Sequence, residues 1–495
     1  MIPITDVKTM RERDAATIAG GISGRELMRR AGEGILASHE WRGRVAIVCG
    51  SGNNAGDGYV LALLLLKRGI DATLILLGDR FSKDGAYYFE QCRKAGVPVQ
   101  AYTESTVLSG YETIVDCIYG TGFRGEPTGL DAHAIRAINQ SGAFVISADI
   151  NSGLNGDNGQ GELCVRSNLT VSIGTYKAGL FLGRAKDVIG ARKNVDIGIA
   201  MPEATVLLTE LGDFKEILKP RARTAHKGNF GYVTVMGGSL EYAGAAKLAN
   251  LSASALRAGC GVSQLAVPDA ITHAVAPYLL ESTLLPIPSD QTGHMCYCAE
   301  ILDAMLARQA AIAVGMGWGN GNDHAAILSH LLEKGNCPLV IDADGLNTLS
   351  RMDKELLRRT ACRVILTPHL KEFERLSGVP IDEIVQDPIT HARAFAKEYG
   401  VIVLLKGACT VVTDGEHTRL VDRGCEGMAT AGSGDVLSGI LAGLLGYNDA
   451  SVDTVACGAF IAGLAGELAQ AATNPISMLA SDTVSHIASA VSLMV

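Results

Sequence analysis

No long hydrophobic run interrupts this chain. Apolar stretches such as Val60 to Leu66 and Val401 to Leu405 fall far short of the roughly 20 residues a bilayer-spanning helix needs. The opening MIPITDVKTMRERDAATIAGG mixes acids and bases with single apolar residues, so no signal-peptide core is expected there. A basic stripe is also missing: the 43 Lys and Arg are dispersed and the formal net charge is -9, which argues against a nucleic-acid partner. Aromatic residues are scarce at 5% and charged residues modest at 19%, while hydrophobic residues reach 47% with 58 glycines, a globular, turn-rich profile and not a disordered one. The 12 cysteines lie mostly in apolar text, and the CxC of Cys296 and Cys298 has no second pair to complete a four-ligand zinc site. Free reduced thiols, a cytoplasmic location and no membrane partner are the expectations.

At 495 residues the chain exceeds one ordinary core, so two or three α/β domains are expected. The first forty residues suggest two helices, with Thr5 as a cap for the first and Ile22-Ser23-Gly24 as the break before Leu27, Ala31, Ile35 and Leu36 resume a helical stripe. Val45 to Cys49 predicts a buried strand, then a glycine turn, a helix over Gly58 to Arg68 and a strand over Ala72 to Leu77, which together make a βαβ unit. Thr113 to Cys117 and Phe144 to Ala148 predict further strands. Between Leu211 and Gly231 the text becomes charged and turn-like, placing a boundary near Lys215. Beyond it, strands are expected at Tyr232 to Met236, Val262 to Val267, Ala311 to Val314, Leu339 to Ile341, Arg363 to Leu366 and Val401 to Leu405, with a small-residue helix over Ala243 to Ala258. Such continuous apolar runs suit parallel strands buried on both faces.

Chemistry-bearing residues collect at strand ends. Gly50-Ser51-Gly52-Asn53-Asn54-Ala55-Gly56-Asp57-Gly58 follows the first strand, where glycines permit close ligand approach and a helix start favours an anion. Gly50-x-Gly52-x-x-Ala55 also fits a dinucleotide-binding fingerprint, although two Asn and an Asp are unusual in a turn that must present bare backbone to a pyrophosphate. Asp116 to Glu126 and Asp149 to Leu154 follow two other strands. Each alone suggests a turn or cap. Together they offer carboxylates, amide oxygens and a hydroxyl suited to a hard cation. In the second half, Gly315 to Gly319, Asp342 and Asp344, Thr367-Pro368-His369 and Lys406-Gly407 end successive strands. Ala431-Gly432-Ser433-Gly434-Asp435 opens a helix over Val436 to Leu445, giving backbone donors for an anion and an Asp that the helix dipole is expected to keep ionised. An Asp there can take a proton from a hydroxyl attacking a phosphoryl group.

GNNAGDG, DCIYGTGFRGE and ADINSGLNGDNG resemble the motifs of the NAD(P)H-hydrate epimerase family over residues 1 to 215. The resemblance implies that Asn53, Asn54, Ala55, Gly56 and Asp57, then Gly120, Thr121, Gly122, Phe123, Arg124, Gly125 and Glu126, then Asp149 contact the hydrated nucleotide. It implies potassium on Asn54, Asp116 and Ser152. Two positions depart from the family: Ala55 replaces a usual Gly, and Asn151 replaces a usual Pro, which is expected to loosen its turn. HKGNFGYVTVMGGS, YAGAA, GMGWG, DADGLN, TPH, LKGACT and EGMATAGSGDVLSGI resemble the ADP-dependent NAD(P)H-hydrate dehydratases of ribokinase-like fold, over residues 216 to 495. That likeness implies nucleotide contacts from Lys406, Gly407, Ala408, Cys409, Thr410 and Gly434, and hydrate contacts from Ala245, Gly317 or Gly319, His369 and Asp435. Leu370 and Lys371 depart from a usual Pro-Gly, and Glu426 stands in a normally uncharged glycine segment.

The expected architecture is α/β with two three-layer domains, an N-terminal Rossmann-like parallel sheet and a C-terminal ribokinase-like sheet. The implied chemistry is interconversion of the R and S hydrates of NADH and NADPH, aided by Asp149, and ADP- or ATP-dependent dehydration of the S hydrate with Mg2+, Asp435 acting as base. His369 is as well read as a satisfied hydrogen-bond partner as a ligand-binding group. A homo-oligomer is expected. The competing readings are a small-molecule kinase of the hydroxymethylpyrimidine or hydroxyethylthiazole type fused to a nucleotide-binding domain, and a non-catalytic scaffold.

Overall fold

A computed structural model describes residues 1–253 and 258–495. The chain forms two compact units, Pro3–Ala204 and Thr205–Val495, the latter taking in Met1 and Ile2. The N-terminal unit is built on β1 (Ile2–Thr5), β2 (Val45–Cys49), β3 (Ala72–Leu76), β4 (Val99–Ala101), β5 (Thr113–Cys117), β6 (Phe144–Ala148), β7 (Ser167–Ile173), β8 (Tyr176–Lys177) and β9 (Ile189–Val195). Its sheet has the order β4-β3-β2-β5-β6-β7-β9, and each neighbouring pair is parallel. Successive residues of a strand face opposite sides, and β2 shows the result. Val45, Ile47 and Cys49 enter one apolar cluster, Ala46 and Val48 another. Both faces are covered, giving the expected three layers.

The second unit contains β10 (Val206–Leu208), β11 (Tyr232–Met236), β12 (Val262–Pro268), β13 (Thr283–Ile287), β14 (Ala311–Val314), β15 (Leu339–Ile341), β16 (Val364–Leu366), β17 (Ile402–Leu405), β18 (Thr410–Thr413) and β19 (Thr418–Val421). Its strands run β13-β12-β11-β14-β15-β16-β17-β18-β19-β10. From β13 to β17 all pairs are parallel; β18 pairs antiparallel with both β17 and β19. In each sheet the strand order reverses once, between β2 and β5 and between β11 and β14. Open α/β sheets hold ligands at such a switch point, beyond the carboxyl ends of the strands.

Several local expectations are corrected. Asp6, not Thr5, caps the first helix (Val7–Ala19), its carboxylate accepting from Thr9 N–H at 2.7 Å. The helix after β2 begins at Asn53 and not Gly58, so the Asn-Asn-Ala-Gly-Asp run forms its first turns. The boundary precedes Lys215 because Val206–Leu208 is already a strand of the second unit, parallel to β19. The helix expected to reach Ala258 is seen as Ala243–Ala253, and residues 254 to 257 of that expectation lie outside the described residues. Asn151 does not loosen its turn. Its buried amide donates to Val165 O, Ser167 Oγ and Val188 O at 2.8, 3.0 and 3.1 Å, and Thr170 Oγ donates to its carbonyl at 2.5 Å. Proline could make none of these bonds.

All 12 cysteines are free thiols. Helix Val452–Ala472 is long and apolar enough, by length and composition, to cross a membrane, yet 67% of its most apolar window is buried within the protein. Helix Ser433–Leu445 packs closely on Ala243–Ala253: a methyl group on Gly439 would stand 2.0 Å from Ala249 O. Gly439→Val therefore overpacks this contact at a cost of about 1–3 kcal/mol, seen as a lowered urea midpoint for the C-terminal unit with the N-terminal transition unmoved.

Candidate functional site

In the N-terminal unit, the segments after β2, β5 and β6 meet through one side chain. Asn54 Nδ2 donates to Tyr119 O at 2.8 Å and Ala148 O at 3.1 Å, one acceptor from each of the other two segments. Its Oδ1 is buried and has no hydrogen-bond partner. The resulting cavity of about 470 Å³ is lined by Asn53, Asn54, Asp57, Tyr119, Gly120, Thr121, Gly122, Phe123 and Asp149, with Arg11 and Asp14 from the first helix and Lys177 from β8. That volume suits a small-molecule ligand. Other motif residues have structural posts. Ala55 and Gly56 pack inward, with a methyl on Gly56 meeting Met28 at 2.4 Å. Arg124 turns to Asp157 at 2.8 Å, Gly125 adopts φ +88°, and Glu126 accepts from Glu162 N–H at 3.0 Å.

Asp149 follows β6 with φ +64°, one of two non-glycine residues in the left-handed region among those described. Its Oδ1 meets Lys177 Nζ at 2.6 Å and its Oδ2 accepts from Thr121 N–H at 3.2 Å. Burial raises its pKa, but the Lys177 ammonium and the Thr121 donors outweigh that and hold it below the ordinary value. Asp57 behaves oppositely. Burial first, then the Asp149 charge and Asp14, push its carboxyl well above the usual range. The pocket thus holds two carboxyl groups pushed in opposite directions, Asp57 toward its neutral form and Asp149 toward its charged form. Nothing in the motifs named Lys177; a polar residue just past another strand end, β7, was the signal.

Asp116 is wholly buried and accepts from Ser152 Oγ at 2.5 Å, Ser152 N–H and Ser147 Oγ at 2.9 Å and Ile118 N–H at 3.2 Å. Burial still leaves its carboxyl above the usual value despite these donors. A desolvated carboxylate, the Ser152 hydroxyl that shares Tyr119 O with the Asn54 amide, and the orphan Asn54 oxygen are oxygen donors of the kind a large hard cation takes.

In the second unit, Lys406 Nζ lies 2.9 Å from Asp342 Oδ1 and 3.8 Å from Glu372 Oε2, while Ser438 Oγ donates to Asp342 Oδ2 at 2.7 Å. Burial works to discharge Lys406, but these carboxylates hold it above its usual value. Ala343, next to Asp342, is the other strained residue, φ +48°. Helix Ser433–Leu445 starts over this pair. Gly432 caps it at φ +97° with no side-chain hydrogen bond; Ser433 N–H reaches Thr430 O at 3.5 Å, and the next N–H groups, of Gly434 and Asp435, have no side-chain acceptor and suit an anion. A methyl on Gly434 would stand 3.5 Å from Lys406 Nζ and 3.6 Å from Asp342 Oδ2. The expectation that the dipole keeps Asp435 fully ionised is corrected: burial, then the Asp342 charge, raise it to about 7 against the pull of Lys406.

Gly317 (φ +65°) and Gly319 (φ +70°) follow β14; a methyl on Gly317 would meet Ala245 Cβ at 2.9 Å, so these hydrate-contact candidates are neighbours. Gly319 N–H donates to Asp344 Oδ2 at 2.8 Å. His369 is a helix cap: its Nδ1 accepts from Lys371 N–H at 3.1 Å and Glu372 N–H at 3.2 Å, and Glu372 Oε2 accepts from His369 N–H at 2.8 Å. Burial and nearby Lys406 lower its pKa. Leu370 and Lys371 supply the first turn of the helix it caps, and Glu426 sits exposed in a short 3-10 turn. Gly407 and Ala408 form the exposed turn between β17 and β18, with Cys409 buried and Thr410 opening β18.

Comparison with known proteins fits both sites. Residues 233–489 match the NAD(P)H-hydrate dehydratase family model, and residues 24–179 match that of the YjeF-related protein N-terminus. The bifunctional NAD(P)H-hydrate repair enzyme of Coxiella burnetii is 32% identical across 97% of each chain. The chain belongs to the bifunctional NAD(P)H-hydrate repair enzymes. The member from Vibrio cholerae is 31% identical over 96% of this chain and 95% of its own. Among solved structures, the ADP/ATP-dependent NAD(P)H-hydrate dehydratase of Bacillus subtilis, co-crystallised with ATP and Mg2+, is 25% identical with a TM-score of 0.52, covering 59% of this chain and 99% of that one. Membership of this family sets aside the fused kinase and the scaffold.

Lys177→Met removes the counter-charge of a buried carboxylate. The Asp149 carboxyl should then titrate about 2 units or more higher by carbon-13 NMR, and the N-terminal unit should lose on the order of 3–5 kcal/mol in denaturant unfolding.

Proposed function

We propose that the N-terminal cavity interconverts the R and S hydrates of NADH and NADPH, and that the second site removes water from the S hydrate at the expense of ADP or ATP. The observation that carries this reading is the placement of Asp435, a carboxyl with pKa about 7, in the first turn of an uncapped helix above Lys406 and Asp342. A base poised near the working pH is most effective in proton transfer.

At the first site, Asp57 arrives protonated and Asp149 ionised. Asp57 gives its proton to the C6 hydroxyl, which leaves as water while the ring nitrogen lone pair forms a planar iminium. Water returns to either face, and the Asp57 carboxylate takes back the proton it sheds, which restores the site, while Asp149 accepts a hydrogen bond from the incoming water and orients it. Lys177 keeps Asp149 charged throughout. Asn54, Asp116 and Ser152 would hold potassium, whose charge would offset the Asp116 carboxylate beside the loops that grip the nucleotide.

At the second site, Asp435 takes the C6 hydroxyl proton as that oxygen attacks the terminal phosphoryl group. The Gly434 backbone and Lys406 receive the charge that develops on the phosphoryl oxygens. Gly407, Ala408, Cys409 and Thr410 border the nucleotide. The phosphorylated hydrate then loses phosphate as the C6–O bond breaks, and the departing phosphate takes the C5 proton, which forms the C5=C6 bond and restores the dihydronicotinamide. His369 would offer its Nε2, which lies 3.5 Å from Glu372 Oε1, to the hydrate while its Nδ1 stays committed to the cap. Magnesium would accompany the nucleotide phosphates, and the enzyme would work in the cytoplasm.

Asp435→Asn should lower nucleotide-dependent recovery of dihydronicotinamide absorbance by roughly 10²-fold or more and leave R/S interconversion, followed chromatographically, unchanged. Parallel loss of both activities would refute two separate sites. Because protonated Asp435 cannot accept a proton, kcat/KM for dehydration should fall as pH drops through about 7. A pH profile flat between 6 and 8 on a kcat/KM axis would contradict the assignment.

A further inference from the structure

The loop after β13 brings a histidine against the glycine segment of the dehydratase site. Ser289 and Met295 pair antiparallel, Gly293 N–H donates to Asp290 O at 3.0 Å, and Asp290 N–H donates to His294 O at 2.9 Å, closing a tight hairpin. β13 runs parallel with β12 in the same sheet as β14, so this hairpin stands on the edge that carries Gly315 to Gly319. It reaches far enough that a methyl on Gly319 would lie 2.8 Å from His294 Nε2. Only 17% of the His294 side chain is exposed.

Hydrogen bonds within the hairpin fix where the imidazole proton lies. Asp290 Oδ1 accepts from Thr292 Oγ at 2.6 Å, Thr292 N–H at 2.8 Å and His294 N–H at 3.0 Å. The Thr292 hydroxyl has a single proton, and it goes to Asp290. Toward His294 Nδ1, 2.8 Å away, Thr292 Oγ can then only accept. Nδ1 therefore carries the ring proton, and Nε2 turns a bare lone pair toward Gly319. The ring is held edge-on by His324 at 5.8 Å between centroids, and His324 stacks on Trp318 at 4.7 Å. Burial, then His294, push His324 down to about 4, which keeps that support uncharged. Asp344 on the facing loop is occupied by Gly319 N–H and by Asn347.

A lone acceptor beside the hydrate calls for a donor on the hydrate. The C6 hydroxyl proton goes to Asp435, and the remaining donor on the nicotinamide ring is its carboxamide N–H2. We propose that His294 is a substrate-binding residue of the dehydratase, its Nε2 accepting a hydrogen bond from the carboxamide, with the Asp290–Thr292 relay setting its tautomer. The proposal rests on the reading of Gly319 as a hydrate contact.

The test uses the full-length protein, ADP with Mg2+, and two substrates: NADH hydrate and its deamido counterpart, in which a carboxylate replaces the carboxamide. Wild type should favour the carboxamide by roughly tenfold in KM, the scale of one hydrogen bond. His294→Leu should raise KM for the carboxamide by about that factor and erase the preference, with kcat and nucleotide affinity within about twofold of wild type. His294→Gln, which returns an amide near the Nε2 position, should recover much of the loss. An unchanged carboxamide KM in His294→Leu, or an equal penalty on both substrates, would overturn the proposal while leaving the dehydratase assignment intact. Wild-type protein that dehydrates neither hydrate would overturn that assignment itself.

Discussion

Beneath each site a lysine ammonium is held, largely out of water, against an aspartate carboxylate: Lys177 on Asp149 in one unit, Lys406 on Asp342 in the other. Such a pair gains little net stability, since the desolvation of both ions roughly cancels their attraction. Its effect is on the neighbours. Burial acts first on both; the charge that Lys177 fixes on Asp149 then pushes Asp57 further toward its neutral form, and the charge on Asp342 adds to the rise that brings Asp435 to about 7. Without these fixed charges, the second carboxyl in each site would titrate as its burial alone dictates.

Parallel topology is what makes the arrangement possible twice in one chain. A parallel sheet sends all its carboxyl ends to one edge, so polar segments separated by tens of residues in sequence become neighbours without any long-range design beyond strand order. Asn54 illustrates this most directly, spanning the segments after β2, β5 and β6 with one amide. In the second unit, β11 and β14 flank the reversal, and the segments after β13, β14, β15, β16 and β17 supply His294, Gly319, Asp342, His369 and Lys406.

The strands were legible because each buried strand carries a short run of apolar residues bounded by glycine or acid, and β2, β5, β6, β11, β14 and β15 fall where those runs predict. Helix starts were less so. The helix after β2 opens at Asn53 because its buried first turn uses residues that sequence patterns assign to turns, and Asp6 displaces Thr5 as a cap by a choice of one residue. Within the sites, glycine and acidic motifs pointed to Asn54, Asp149 and Asp435, since unusual residues at strand ends stand out. Lys177, Glu372 and His294 did not stand out: each sits in unremarkable text, and its importance arises from what the fold places opposite it. The raised pKa of Asp435 was likewise invisible, because it depends on burial in the fold and then on Asp342, 93 positions away along the chain.

Asp149 and Ala343 hold the left-handed backbone that glycine adopts freely. Asp149 directly follows β6 and Ala343 follows Asp342 at the end of β15, each at a cost of order 1–3 kcal/mol that the surrounding packing must absorb. The Ala343 conformation sets a limit on thermostabilisation of this enzyme. Replacing it with glycine would relieve the tension yet free the segment that aims Asp342 and Asp344, so a hotter-running variant built there would trade rigidity around Lys406 and Asp342 for melting temperature.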